Sequence, residues 1–166
     1  SWSRGLGDVY KRQGSLLIIS PTHKEQYNTF VVDGLKLFSL SDFHKNYTLR
    51  EFTHYFLYPL KHKKIRFFYE NNKPIGLVTW CFLSNKKSDA FFEDKYVVQE
   101  EDYMADQGDQ NWCIEYIAPY GYALKVARGM QKHFRNLYPG YHKTNWKRFG
   151  RSCLLYTSDA ADESVS

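Results

Sequence analysis

Long apolar runs are missing from this 166-residue chain. None approaches the roughly 18 residues that a membrane-spanning helix needs, so no stable membrane insertion is expected. Cysteine is scarce. Cys81 and Cys113 sit in strand-like apolar runs and Cys153 lies near the end, with no Cys-x-x-Cys pair among them. That spacing excludes a zinc ribbon and a dithiol redox motif, and it fits buried free thiols in a reducing compartment. No GxGxxG, Walker A, GxSxG or HExxH pattern is present, which removes the dinucleotide, P-loop, serine-hydrolase and zinc-protease readings that those motifs carry. No secretory leader is visible in the sequence, and a cytoplasmic location is expected. Long basic runs are missing too: none exceeds Lys61-His62-Lys63-Lys64, although the net charge is +5. Scattered basic charge without zinc-finger or KH-type spacing argues for an acidic partner rather than for nucleic acid.

Aromatic residues are what the chain has in abundance. Its 14 Tyr, 12 Phe and 4 Trp are enough to fill a core and still line an apolar groove. The two ends do not share this character. Residues 1–13 (SWSRGLGDVYKRQ) are short and polar. Residues 151–166 (RSCLLYTSDAADESVS) turn small and acidic after Tyr156. Both resemble translated adapter ends from the preparation of sequencing libraries, and both are expected to be non-native tails that pack poorly. The remaining residues 14–150 suffice for one domain with one core.

Within that domain the pattern predicts a mixed α/β (α+β) arrangement. Residues 65–70 (IRFFYE) and 75–83 (IGLVTWCFL) read as antiparallel strands joined by an Asn71-Asn72-Lys73-Pro74 turn. Residues 84–88 read as a loop, 89–95 as a helical turn or two, and 100–109 as an acidic connection. Trp112, Ile114 and Tyr116 alternate with Cys113, Glu115 and Ile117, which predicts a strand apolar on both faces and carrying one carboxylate. A helix follows over residues 123–134. Leu124, Ala127, Met130, Gln131 and Phe134 recur at helical spacing, and Lys125, Arg128, Lys132 and Arg135 form a basic face. Gly34 weakens the helical reading of 31–40. The stretch 41–60 is mixed, and 145–149 reads as the start of a further strand.

Single residues must carry the chemistry. His23, at the Ser20-Pro21-Thr22-His23 turn, has the type and setting of a general base. His44, His54, His62, His133 and His142 read as turn or surface histidines, and the spacing of His44 and His54 suggests no metal geometry. Glu115 is either a solvent-facing strand carboxylate or the partner that orients a histidine. The amides at Gly121 and the helix behind it are either a plain helix start or an anion site.

Three segments resemble the toxin-activating lysine acyltransferases, the haemolysin C–like proteins: Ser-Pro-Thr-His at 20–23, IRFFYENNKPIGLVTWCFLS at 65–84 and GDQNWCIEYIAPYG at 108–121. The resemblance covers residue 16 to about residue 140. It implies a fold like that of the GNAT N-acetyltransferases, with a mixed, largely antiparallel sheet flanked by helices. It further implies transfer of a fatty acyl group from acyl–acyl carrier protein to the ε-amine of internal lysines of an RTX protoxin, in the bacterial cytoplasm, by a homodimer. No metal and no tightly bound cofactor are implied. The family's catalytic histidine falls on His23 and its catalytic aspartate on Glu115, a departure by one methylene. Ala118, Tyr120 and Gly121 fall on the loop that would serve the oxyanion or the acyl donor. A longer helical segment than usual is implied between Leu40 and Lys64. The basic face of Lys125, Arg128 and Lys132 is the expected dock for an acidic carrier. A GNAT-like N-acetyltransferase using acetyl-coenzyme A would need a stronger glycine-rich loop than Gly121 supplies. A non-catalytic partner-binding relative would explain the altered carboxylate.

Overall fold

The computed structural model describes residues 16–21, 26–148 and 151–157, with Arg148 and the last segment as backbone only. Six strands form one sheet in chain order: β1 (Leu17–Ile19), β2 (Ile65–Glu70), β3 (Lys73–Leu83), β4 (Gln110–Ile117), β5 (Lys143–Arg148) and β6 (Arg151–Thr157). Every neighbouring pair is antiparallel except β4 and β5, which are parallel. The β2–β3 hairpin turns on Asn71 and Asn72, both at positive φ (50° and 61°). That is the twist a two-residue hairpin needs, and asparagine tolerates it.

Side-chain alternation divides β3 between two faces. Val78, Trp80 and Phe82 face the long helix α5 (Ala123–Leu137), where they meet Val126, Met130 and Phe134. The helix therefore buries Val126 on this face, and Leu124 is exposed. Leu77 faces the opposite way, with Phe67, Tyr69 and Ile117. There it meets helix α1 (Tyr27–Leu40) and helix α2 (49–61). Cys81, Leu83 and Trp112 continue that face beyond the two helices, with Val98 and Tyr103.

Helix α1 buries Phe30, Asp33, Gly34, Leu37 and Phe38 at helical spacing. Gly34 is no weakness here, because a Cβ would stand 2.1 Å from the Phe56 ring. The glycine lets α2 lie against α1. Helix α2 starts at a capping box in which Thr48 and Glu51 hold each other's backbone amides (3.2 and 2.7 Å). It runs through α-helical Leu49–Phe52, a π-helical turn Thr53–Leu57 and α-helical Tyr58–Lys61. Pro59 lacks the amide proton that an α-helix interior uses, and the widened turn lies just ahead of it.

Two short helices differ from the sequence reading. Helix α3 (Asn85–Phe92) occupies most of the expected 84–88 loop, because Ser84 caps it by accepting from the Lys87 amide (3.2 Å). Helix α4 (Glu100–Met104) lies inside the acidic connection. There Asp102 is buried and held by Tyr96 and Lys87. The C-terminal end differs as well. Residues 151–157 were expected to stand outside the fold, yet their backbone pairs with β5 from Lys143↔Thr157 to Arg148↔Arg151. A run of β-forming residues next to an otherwise open strand edge finds partners for its amides there.

Candidate active site

Glu115 reaches its position through a fault in the sheet. Val78 pairs with Tyr116 and Trp80 with Cys113, so Thr79 faces two residues, Ile114 and Glu115. This is a β-bulge, and it re-aims the strand. Regular alternation would send Ile114 and Glu115 to opposite faces. Here Ile114 packs with the Trp112 cluster while Glu115 turns to the α1–α2 side, and Tyr116 returns to the α5 side. The Glu115 amide is held by the Thr79 hydroxyl at 2.9 Å. The parallel β4–β5 ladder, Trp112↔Asn145 and Cys113↔Trp146, ends just before the bulge. Beyond it opens a pocket of about 620 Å³, within the usual size for a ligand site.

The turn between α1 and α2 supplies the partners of Glu115. His44 is 7% exposed, and its Nε2 meets Glu115 Oε2 directly. Its Nδ1 lies 2.6 Å from the Ser41 hydroxyl. Tyr47 donates its O–H to Glu115 Oε1 at 2.7 Å. The turn's backbone is pinned by His44 N→Ser41 O (3.1 Å), Lys45 N→Ser41 O (2.9 Å) and Tyr47 N→His44 O (3.0 Å). Phe38, Phe43 and Tyr47 enclose the His44 ring, with centroids 5.0–5.2 Å away. With Nε2–H assigned to the carboxylate, Nδ1 carries the free lone pair and accepts from Ser41. A carboxylate–histidine pair whose second nitrogen lies beside a pocket is the arrangement of a general base.

The surrounding groups are tuned toward their neutral forms. Burial, followed by the Glu115 charge, pushes the Tyr47 phenol far above its ordinary range, and Tyr55 is raised by the same two causes. Both therefore remain O–H donors. Burial, then Glu115, pushes the Cys113 thiol up to about 12, so this pocket-lining cysteine is no thiolate nucleophile. On the far side Lys147 pairs with Asp94 (2.7 Å) and lies over the Phe91 ring (4.0 Å).

The histidine expected at the site, His23, lies outside the described residues. Among the described residues the histidine that meets Glu115 is His44, which the sequence reading treated as a surface histidine. Local sequence carries no signal that sets it apart, since Ser41, His44 and Tyr47 stand in a polar stretch and meet Glu115 only in the fold. Ala118 lines the pocket. Tyr120 does not; it is 49% exposed, and its ring lies under the Lys73 ammonium at 3.6 Å. Tyr120 and Gly121 both have positive φ (66° and 78°) and form the turn from β4 to α5. Lys125 pairs with Glu70, so part of its charge is engaged within the fold, whereas Arg128 and Lys132 are exposed. Among the described residues no helix is long and apolar enough to cross a membrane.

A bulged β4 that parts from a parallel β5, between α1–α2 on one face and α5 on the other, is a GNAT-like architecture. Two solved structures align with the overall fold. The loading GNATL domain of CurA from Lyngbya majuscula aligns with a TM-score of 0.53 at 12% identity, over 79% of this chain and 63% of that one. The mosquito arylalkylamine N-acetyltransferase like 5b aligns at 0.50 and 10%, over 80% and 76%. Sequence comparison narrows the class. Residues 33–151 match the RTX toxin acyltransferase family, HlyC, and the chain belongs to that family. The match takes in His44 and Glu115 and leaves out Ser20 to His23. Two curated relatives are the RTX-III toxin-activating lysine-acyltransferase ApxIIC of Actinobacillus pleuropneumoniae and the leukotoxin-activating lysine-acyltransferase LtxC of Aggregatibacter actinomycetemcomitans. ApxIIC is 26% identical over 111 residues, covering 63% of each chain. LtxC is 26% identical over 112 residues, covering 66% of each.

Proposed function

We propose that this chain is a toxin-activating acyltransferase that moves a fatty acyl group from acyl–acyl carrier protein to the ε-amine of internal lysines in an RTX protoxin. The observation that carries the reading is the His44–Glu115 pair beside an aromatic-lined pocket of about 620 Å³. A lysine amine has a pKa of about 10.4 and is protonated at neutral pH. Once neutral, it attacks the thioester carbonyl and must release a further proton as the C–N bond forms. His44 Nδ1 takes that proton in the place where Ser41 donates at rest. Glu115 stabilises the resulting imidazolium at Nε2. Collapse of the tetrahedral species expels the carrier's thiolate, which recovers the proton from His44. Phe43, Phe91, Val97, Ile114 and Trp146 offer the acyl chain an apolar lining. Arg128 and Lys132, with what remains of the Lys125 charge, form the docking face for the acidic carrier. The donor arrives as a substrate, and no resident cofactor takes part.

Mass spectrometry of an RTX protoxin co-expressed with this chain tests the reading. A fatty acyl mass on internal lysines is expected with the parent chain and with His23→Ala, and its loss with His44→Ala. No acyl mass with the parent chain refutes the activity. Loss with His23→Ala but not with His44→Ala transfers the base to His23. An acetyl mass in place of a fatty one favours a coenzyme A donor.

A further inference from the structure

A glutamate carboxylate turns about three side-chain bonds, and His44 holds only one of its oxygens. The other oxygen, Oε1, accepts the Tyr47 O–H at 2.7 Å. Tyr47 follows His44 in the same pinned turn, with its amide bonded to the His44 carbonyl at 3.0 Å. One rigid segment thus presents two donors, an imidazole N–H and a phenol O–H, to the two oxygens of one carboxylate. The Tyr47 ring is fixed by Phe38 (5.7 Å), Tyr55 (5.8 Å) and the His44 ring itself (5.1 Å). At its other end the Glu115 backbone is fixed by Thr79. The carboxylate is therefore clamped between β3 and the α1–α2 turn. A hydrogen bond to a charged group is among the stronger ones a side chain makes, and its direction restricts rotation.

We propose that Tyr47 is a positioning residue: its O–H locks the Glu115 carboxylate so that Oε2 faces His44 Nε2 and leaves Nδ1 directed at the pocket. The inference rests on the general-base reading of His44 and goes beyond it by naming what aims the carboxylate. Releasing the clamp lets the carboxylate swing, and the imidazole loses its fixed orientation. Misplacement of a reacting group by about 1 Å lowers rates steeply. The phenol transfers no proton in the reaction; it remains the donor throughout.

The test is Tyr47→Phe, which keeps the ring and removes only the O–H. In the parent chain the His44 Nε2 proton should appear by NMR as a slowly exchanging, far-downfield resonance. In Tyr47→Phe that resonance should move or broaden while the rest of the spectrum stays native. In the acylation assay kcat should fall about 10- to 100-fold, the range for losing a hydrogen bond to a charge, with KM for the acyl carrier unchanged. In a Glu115→Asp background, where the shorter carboxylate no longer spans both donors, Tyr47→Phe should change kcat less than twofold. A native spectrum with an unmoved Nε2 proton in Tyr47→Phe overturns the proposal. So does an equal loss of kcat in the Glu115 and Asp backgrounds, since a packing role would act alike in both. If Tyr47→Phe does not fold, 3-fluorotyrosine at position 47 changes donor strength with little change of shape, and an unmoved resonance there overturns the proposal equally. A parent chain that fails to acylate but whose Nε2 proton responds to Tyr47→Phe refutes the acyltransferase reading and leaves the clamp standing.

Discussion

Asp33 and Glu115 are both buried carboxylates on the α1–α2 side of the sheet, and each accepts a tyrosine O–H. Asp33 is 8% exposed and takes Tyr69 at 2.6 Å; Glu115 is 5% exposed and takes Tyr47 at 2.7 Å. Burial raises the phenol in both cases, with the carboxylate as the next cause. The difference lies in what else is near. Asp33 joins α1 to β2 and lies away from the pocket. Glu115 lies on a bulge at the pocket, with His44 on its second oxygen. A buried carboxylate–tyrosine pair is thus a structural tie by default. An ionisable third member and an opening turn it into a candidate site.

Perturbing the pairs separately breaks or sharpens this contrast. The largest effect is expected from His44→Gln, which keeps a donor for Glu115 but removes the basic nitrogen. Acylation should fall about 10²- to 10⁴-fold, the range general-base catalysis supplies, with an unchanged melting curve. Full activity in that variant would erase the distinction between the two carboxylates. Glu115→Asp comes next. Both Glu115 oxygens are partnered at the length of a glutamate, so the shorter side chain should slow transfer by on the order of 10-fold or more. A faster Asp variant would mean that the site is shaped around the shorter acid that the family resemblance implied.

Charge reversal of Arg128 and Lys132 together is expected to raise KM for the acyl carrier about 10-fold at low salt, with a smaller effect near 0.15 M, because exposed charges are screened. Equal KM values in low and high salt would remove α5 as the docking face. Asp33→Ala should act on stability alone. It leaves the Tyr69 hydroxyl buried without its partner, at about 1–3 kcal/mol in chemical denaturation, while kcat per folded molecule holds. A large drop in kcat would place Asp33 in the site after all. The smallest effect concerns His133, which accepts from Arg66 Nε at 2.9 Å. Burial and then the Arg66 charge hold it below its ordinary value. The unfolded chain therefore takes up this proton first as pH falls through about 6.5, and stability drops with it. His133→Gln keeps an acceptor for Arg66 and should flatten that part of the stability profile. Unchanged pH dependence would assign the slope to other groups.

Local patterning was enough to read the β2–β3 hairpin, the apolar strand around Glu115 and the start of α5, because each depends on neighbours in sequence. A two-residue asparagine turn, period-two alternation and a three-to-four repeat are all legible there. The lone carboxylate in an apolar strand was legible as well, and the fold class followed from the order of the elements. His44 was not. Its partner lies 71 positions away, and on local sequence a histidine in a polar turn looks like a surface residue. The resemblance favoured Ser-Pro-Thr-His at 20–23 instead, and the extra helical length inferred between Leu40 and Lys64 is the segment that carries Ser41, His44 and Tyr47. The bulge opposite Thr79 was equally hidden, since it exists only in the pairing of β3 with β4. Sequence alone determined the β2–β3 hairpin, the strand that carries Glu115 and the helix behind it, and that a histidine and a carboxylate would make the site. Tertiary structure decided which histidine and which tyrosine close on Glu115, because bulge, turn and helix packing bring distant backbone together in a way no local periodicity encodes.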